Sequence, residues 1–308
     1  MHVPDGFINA PVSIGTGVIS FATLWAYVRS AKSLVADKLI ALTGMMSALI
    51  FVLQMINFPI AAGTSGHLLG GALAVIVLGP NLGIICISIV VVIQSLLFAD
   101  GGLSALGINV LNMAIITSLV GWLTISSWKK LFGEANISII SGSIVAGILS
   151  VVFSSIAFVF EYALGGTVSV PLGSVLIAMV SSHLLIGLGE GVITALIVSL
   201  LLRVRSDLIY IKTNNDKKNS KSSFYGLFIF LLLSLTLITP YASSSPDGLE
   251  SVAGDFGFSE DSGIVLLLDD YGISGLNNNF LSTALSAVLG VVVVIGVSNI
   301  VLKYRKKV

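Results

Sequence analysis

Charge is scarce in this sequence. Asp, Glu, Lys and Arg make up 10 % of its 308 residues, against about 25 % in a soluble domain. With 56 % hydrophobic residues and a mean hydropathy of +1.05, there is too little polar side chain to coat a water-soluble surface. A soluble enzyme, a nucleic-acid binder and a disordered chain are all excluded. Cysteine is nearly absent: Cys86 stands alone in an apolar run, so there is no intrachain disulfide and no thiolate metal cluster. It reads as a small buried apolar residue. The H-E-x-x-H helix of a zinc protease is missing, as are a Ser/His/Asp arrangement and the phosphate-binding G-x-x-x-x-G-K-[ST] loop. The chain therefore cannot hydrolyse ATP by that device. No calcium loop of the D-x-[DN]-x-[DN]-G type is present either.

What is abundant is long apolar sequence. A membrane span needs about 20 apolar residues, and nine stretches qualify or nearly do: 8–28, 39–58, 68–79, 82–99, 106–127, 137–160, 172–202, 224–240 and 282–302. The third is short and glycine-rich, a half-length piece tolerated only when buried among other helices. The seventh is long enough to tilt or to emerge from the bilayer. Every basic residue then falls on one side: Arg29, Lys32 and Lys38; Lys129 and Lys130; the group from Arg203 to Lys221; and Lys303 to Lys307. By the positive-inside rule that side is the cytoplasm. The expected protein is an all-α integral protein of the plasma membrane with nine spans, the N-terminus outside and the C-terminus inside. The first residues lack the basic n-region and cleavage site of a signal peptide, so Met1 is expected to remain, displayed on the outer face.

Three parts are expected: a seven-helix membrane domain over 1–203, a basic cytoplasmic linker over 204–223 and a two-span hairpin over 224–308. The hairpin carries an outer loop from about 241 to 281 with seven acids, Asp247, Glu250, Asp255, Glu260, Asp261, Asp269 and Asp270, and no base. Such a loop is either solvated surface or a device that attracts cations. Counting Asp5, Asp100 and Glu161 with it, the acids gather outside and the bases inside, so the zero net charge is cancellation between two faces.

Three histidines, His2, His67 and His183, are the candidate ligands. His2 beside a free amine can form an unusual chelate. The Met1 amine, the backbone nitrogen of His2 and its imidazole close two fused rings around one ion. Loss of the amide proton requires a strongly polarising metal such as Ni(II), Cu(II) or Co(II), and a planar set of nitrogens suits Cu(II) or Ni(II). His67, on the same face in Gly63-Thr64-Ser65-Gly66-His67, is the candidate for a fourth nitrogen. Deeper in the membrane, His183 and Glu190 lie seven residues apart on one helical stripe, roughly 10 Å apart along the axis. Intramembrane ionisable groups suggest function, so the pair is either a helix-packing contact or a gating element.

Met1-His2-Val3-Pro4-Asp5-Gly6-Phe7, Gly66-His67-Leu68-Leu69-Gly70-Gly71, Asp100 to Gly107 with Asn109 and Asn112, and His183 to Gly191 together resemble the CbiM/NikM family. These are membrane substrate-capture components of energy-coupling-factor transporters for cobalt and nickel. Residues 224–308, with Pro246-Asp247-Gly248-Leu249-Glu250, resemble the family's two-span companion subunit, here fused. The resemblance implies a seven-helix fold with the N-terminus inserted in an outer pocket, and a metal held by Met1, His2 and His67. Ser65, Asn109 and Asn112 are implied as supporting residues. It further implies a separate coupling transmembrane (T) subunit and ATPase (A) subunits, transport of Co(II) or Ni(II) with no permanently bound cofactor, and a companion loop that promotes loading. Two other readings stand beside it: a vitamin-capture component of the same transporter class, and an intramembrane enzyme using His183 and Glu190.

Overall fold

The computed structural model describes residues 1–31, 37–61, 63–212, 221–258, 268 and 271–307. The helices are α1 (Ala10–Ser30), α2 (Asp37–Met55), α3 (Gly71–Leu78), α4 (Pro80–Leu97), α5 (Leu106–Phe132), α6 (Asn136–Gly165), α7 (Leu172–Val204), α8 (Lys221–Thr236), α9 (Gly248–Asp255) and α10 (Asn279–Lys307). A two-stranded antiparallel hairpin, β1 (Phe58–Ala61) and β2 (Thr64–Gly66), lies between α2 and α3.

Each predicted span has a helical counterpart, but length alone does not support nine crossings. Seven of the described helices, α1, α2, α4, α5, α6, α7 and α10, are long and apolar enough to cross a membrane. This set is not the expected seven-helix unit, since it omits α3 and includes α10. With 8 residues, α3 is about 12 Å long against a hydrocarbon core of about 30 Å. The shorter apolar stretch Phe228–Tyr241 covers the eighth. The 33 residues of α7 reach about 50 Å, so it exceeds the bilayer as anticipated.

Local chemistry explains several boundaries. Asn9 caps α1, its side chain accepting from the Val12 N–H at 3.1 Å, with a proline in the first turn. Gly70, at φ +83°, opens α3 in the left-handed region, and a Cβ there would lie 2.8 Å from Ile50. Gly147 and Gly191 let α6 and α7 touch backbone to backbone, since a Cβ on Gly147 would lie 2.7 Å from the Gly191 Cα. This is the small-residue packing that membrane helices use in place of a hydrophobic driving force. In α5, Val110–Ile116 is wound as a π-helix, a local widening often found at functional sites.

The two ends of the bundle differ. At one end Lys38 bonds Asp207 at 3.0 Å, Arg205 bonds Asp207 at 2.7 Å, and Lys129 donates to the Ile211 carbonyl at 2.8 Å. The Tyr210 and Ile211 amides meet the last carbonyls of α3 at 3.2 and 3.3 Å. The start of the segment read as a linker is thus packed against the bundle; residues 213–220 lie outside the described residues. At the opposite end gather the N-terminal segment, the β-hairpin, residues 98–105 and α9. Of the seven loop acids, Glu260, Asp261, Asp269 and Asp270 lie outside the described residues, whereas Asp247 and Glu250 belong to an ordered helix start rather than to open loop.

One acid departs from its expected place. Glu161 was assigned to the outer surface because it ends an apolar run. Helix α6 instead continues to Gly165, and Glu161 is buried, its Oε2 accepting from Asn112 Nδ2 at 2.7 Å. A buried amide donor compensates a carboxylate that would otherwise have to reach water.

Candidate metal centre

The first seven residues form an extended thread laid into the bundle. Asn109 grips it on both sides of Val3: its Oδ1 accepts from the Val3 N–H at 2.7 Å, and its Nδ2 donates to the Val3 carbonyl at 3.2 Å. The Gly102 N–H donates to that same carbonyl at 2.9 Å. The Asp5 carboxylate accepts from the Ser104 N–H at 2.7 Å and from its hydroxyl at 2.5 Å. Phe7 stacks on Phe158, with centroids 5.8 Å apart. The Met1 side chain is buried, and its sulfur receives the Ser154 hydroxyl at 3.2 Å.

This thread delivers the Met1 amine to a buried position 2.9 Å from His67 Nε2. His67 Nδ1 lies 3.0 Å from the Leu68 carbonyl. A carbonyl can only accept, so Nδ1 carries the proton and Nε2 presents its lone pair to the amine. A bond from the far ring nitrogen to a carbonyl is the usual way a ligating histidine is oriented. Burial, reinforced by the neighbouring amine, holds His67 below the usual imidazole value, which keeps it neutral and able to ligate. The His2 ring stacks against His67, centroids 5.2 Å apart and planes 23° from parallel. His2 Nδ1 donates to Asp100 Oδ1 at 2.8 Å, while its Nε2 is buried without a hydrogen-bond partner.

Two carboxylates face these nitrogens. Asp247 Oδ2 is 2.5 Å from the Met1 amine and 3.6 Å from His67 Nε2. Burial opposes its ionisation, but the Met1 amine beside it holds its carboxyl well below the ordinary value. Burial likewise works against Asp100, and His2 outweighs it, bringing Asp100 down to about 2. A second residue from the 241–281 region, Tyr271, donates its hydroxyl to Asp100 Oδ2, accepts from Gln94 Nε2 at 2.9 Å, and stacks on Phe98 at 5.0 Å. It does so at φ +56°, where non-glycine residues are uncommon. The surrounding cavity, about 580 Å³, is lined by His2, His67, Asp100, Asp247, Glu250 and Tyr271 among others.

The supporting residues divide. Asn109 holds the thread. Ser65 works through the loop instead: its N–H donates to the Pro246 carbonyl at 2.8 Å and its hydroxyl to the Ser245 carbonyl at 2.7 Å, which pins the segment bearing Asp247. Asn112 lies behind the Met1 side chain with Glu161 and Ser154. His183 and Glu190 share a stripe but do not bond each other among the described residues. Glu190 accepts from the Leu69 and Gly70 N–H groups at 2.6 and 3.0 Å, whereas His183 Nδ1 meets the Met179 carbonyl at 2.8 Å. Seven residues of helix set the two roughly 10 Å apart along the axis, beyond bonding reach, and each meets a nearer main-chain partner. Asp247, Asp100 and Tyr271 are not singled out as site residues from sequence; the Asp-x-x-Glu spacing at 247–250 is a signal not used there, and it would indicate a helix start rather than a contact with Met1.

Replacing Asn109 with Ala removes the acceptor of the buried Val3 N–H, which costs roughly 1–3 kcal/mol. We expect metal affinity to fall about tenfold, read by calorimetric titration of the purified protein. Unchanged affinity would mean that the thread is held in place without this clamp.

Apolar spanning helices around a pocket of an amine, imidazoles and carboxylates define a multi-pass membrane transport protein for a transition metal. The chain matches the CbiM family, the cobalt uptake substrate-specific transmembrane region, over residues 2–208, and belongs to it. A protein of Archaeoglobus fulgidus described as a candidate fused nickel transport protein, NikMN, is 33 % identical over 99 % of both chains. The cobalt transport protein CbiM of Clostridioides difficile is 27 % identical over 70 % of this chain and 87 % of its own. The crystal structure of a truncated transition metal transporter superposes with a TM-score of 0.60 at 28 % identity, covering 66 % of this chain and 99 % of that one. The chain is accordingly a cobalt/nickel transport component of the CbiM/NikM type, a transporter component rather than an enzyme.

Proposed function

We propose that this protein is the substrate-capture component of an energy-coupling-factor transporter that imports Co(II) or Ni(II). The Met1 amine, the His2 backbone nitrogen and imidazole, and His67 Nε2 hold the ion. The observation that carries this reading is the 2.9 Å approach of the Met1 amine to a correctly protonated His67 across 66 residues of chain. Metal bonds of about 2.0–2.1 Å set neighbouring donors about 3 Å apart, so the amine and Nε2 already stand at ligand spacing. The amine and the His2 backbone amide must each give up a proton to solvent before they can ligate, and the His2 proton that faces Asp100 moves to the other ring nitrogen, so affinity falls on acidification.

In this reading the chain crosses the plasma membrane nine times with the metal pocket outside. Residues 1–203 form the capture domain, 204–223 the cytoplasmic connection and 224–308 the companion hairpin. Separate T and A subunits at the basic end drive release, with no permanently bound cofactor. Nitrogen ligands of this kind have no role in capturing a vitamin, which sets that alternative aside.

The test is titration of the purified full chain with Ni(II) and Co(II), expecting one ion per chain. His67→Ala leaves the three nitrogens of the N-terminal chelate but removes the fourth, and should weaken binding about 100-fold. Binding of equal strength in that variant would refute the site.

A further inference from the structure

The nitrogen set proposed above does not include the carboxylate that lies nearest to it. Asp247 divides its two oxygens between separate tasks. Oδ1 caps α9, accepting from the Leu249 and Glu250 N–H groups, each at 2.8 Å. The Glu250 carboxylate closes the capping box by accepting from the Asp247 N–H at 3.1 Å. Oδ2 points away from the helix into the pocket, 2.5 Å from the Met1 amine and 3.6 Å from His67 Nε2. The cap therefore fixes the side chain while leaving one oxygen for another partner. The preceding backbone is fixed as well, by Ser65 on Pro246 and by the Ser243 N–H donating to the Asn57 carbonyl at 2.8 Å.

The Met1 amine, His67 Nε2 and Asp247 Oδ2 form a triangle with edges of 2.9, 2.5 and 3.6 Å. Donors at right angles around an ion with bonds of about 2.0–2.1 Å lie about 3 Å apart, so one ion can reach all three corners without movement of the helices. His2, His67 and Asp247 are also the one group of three metal-ligating side chains that converge within 4.8 Å among the described residues.

We propose that Asp247 is a direct ligand of the transported ion, an oxygen donor out of the nitrogen plane, so that the loaded site is five-coordinate N4O rather than planar N4. When the amine gives up a proton to solvent and turns its lone pair to the metal, it releases Asp247 Oδ2, and that oxygen takes up the ion in place of the N–H it had accepted. The axial carboxylate matters for selectivity. Four nitrogens in a plane favour Ni(II) and Cu(II), whereas a fifth, anionic oxygen makes a site that Co(II) accepts as well. The hairpin thereby contributes a ligand, not only a surface.

This inference rests on the nitrogen site, and the experiment separates the two. Asp247→Asn keeps a good N-cap while replacing the free anionic oxygen, so α9 is preserved. Full-length protein loaded with NiCl2 or CoCl2 is examined by X-ray absorption and by competition between the ions. The expected result is a five-coordinate spectrum for Ni(II) in the unmodified protein. D247N should show the 1s→4p edge feature of planar four-coordinate Ni(II), with Co(II) affinity lowered about tenfold more than Ni(II) affinity. A planar spectrum in the unmodified protein overturns the inference and leaves the nitrogen site standing. A five-coordinate spectrum unchanged in D247N assigns the fifth donor elsewhere and overturns it too. Loss of the His67→Ala effect removes the nitrogen site, and the inference with it.

Discussion

One residue added ahead of Met1 will lower the affinity for Ni(II) or Co(II) by about 1,000-fold or more, equivalent to about 4 kcal/mol. The extension changes no side chain. It converts the Met1 amine into an amide, which can ligate only by losing its own proton, and carries the primary amine one residue beyond its place against His67 and Asp247. Met1 is 2 % exposed, and its nitrogen is enclosed by His67 at 2.9 Å and Asp247 at 2.5 Å, so the added residue must displace one of them or turn into the neighbouring cavity. The thread cannot retreat to make room, because Asn109 and Gly102 hold Val3 and the Asp5 carboxylate is tied to Ser104. The variant is made by cleaving a fusion so that one glycine precedes Met1. It is compared with unextended protein by calorimetric titration, and equal affinities would rule out the amine as a ligand.

Glu190→Leu will have the largest effect on stability. The Glu190 carboxylate accepts from the two amides that enter α3, Leu69 and Gly70, at 2.6 and 3.0 Å in a fully buried position. The first N–H groups of a helix have no intrahelical partner, and in an apolar interior each left unmade costs roughly 1–3 kcal/mol. We expect a loss of about 2–6 kcal/mol for the pair and an unfolding midpoint in detergent lower by about 5–15 °C. Because the same peptide run carries His67, metal binding should weaken as well. Glu190→Gln retains one carbonyl acceptor and should fall between the two. An unchanged midpoint in the Leu variant would show that these amides find other partners. The comparison also bears on the intramembrane-enzyme alternative, since a general acid or base would lose its role equally in both variants.

Much of this architecture can be read from hydropathy, because a backbone in lipid must satisfy its own hydrogen bonds and long apolar runs have little choice but helix. The short α3 was legible for the same reason, its glycines and Gly79-Pro80 bounding a run too brief to span. Reading failed where a polar side chain inside the membrane is answered by a partner distant in sequence. Glu161 looked like the end of a span because its partner Asn112 lies 49 residues away. Glu190 suggested a partnership with His183 on its own helix, yet its partners are main-chain amides of another segment. In the pocket, His2 and His67 stand out as rare residues in apolar surroundings. Asp247 does not: it is one of seven acids in a polar stretch, and nothing local distinguishes the one that meets the amine 246 residues before it. The capping box predicts the helix, not the pocket.

That same separation imposes an order on biogenesis. Met1 is made before every group that encloses it, and these arrive progressively: His67 early, Asn109 and Ser154 midway, Asp247 and Tyr271 with the 224–308 hairpin. Closing a contact across nearly the whole chain is slow compared with local helix formation. The leading segment must therefore wait outside its groove until Asn109, Ser154 and Phe158 have been made. The wall that Asp247 supplies is added only after the thread's other contacts are available, so the pocket is closed last.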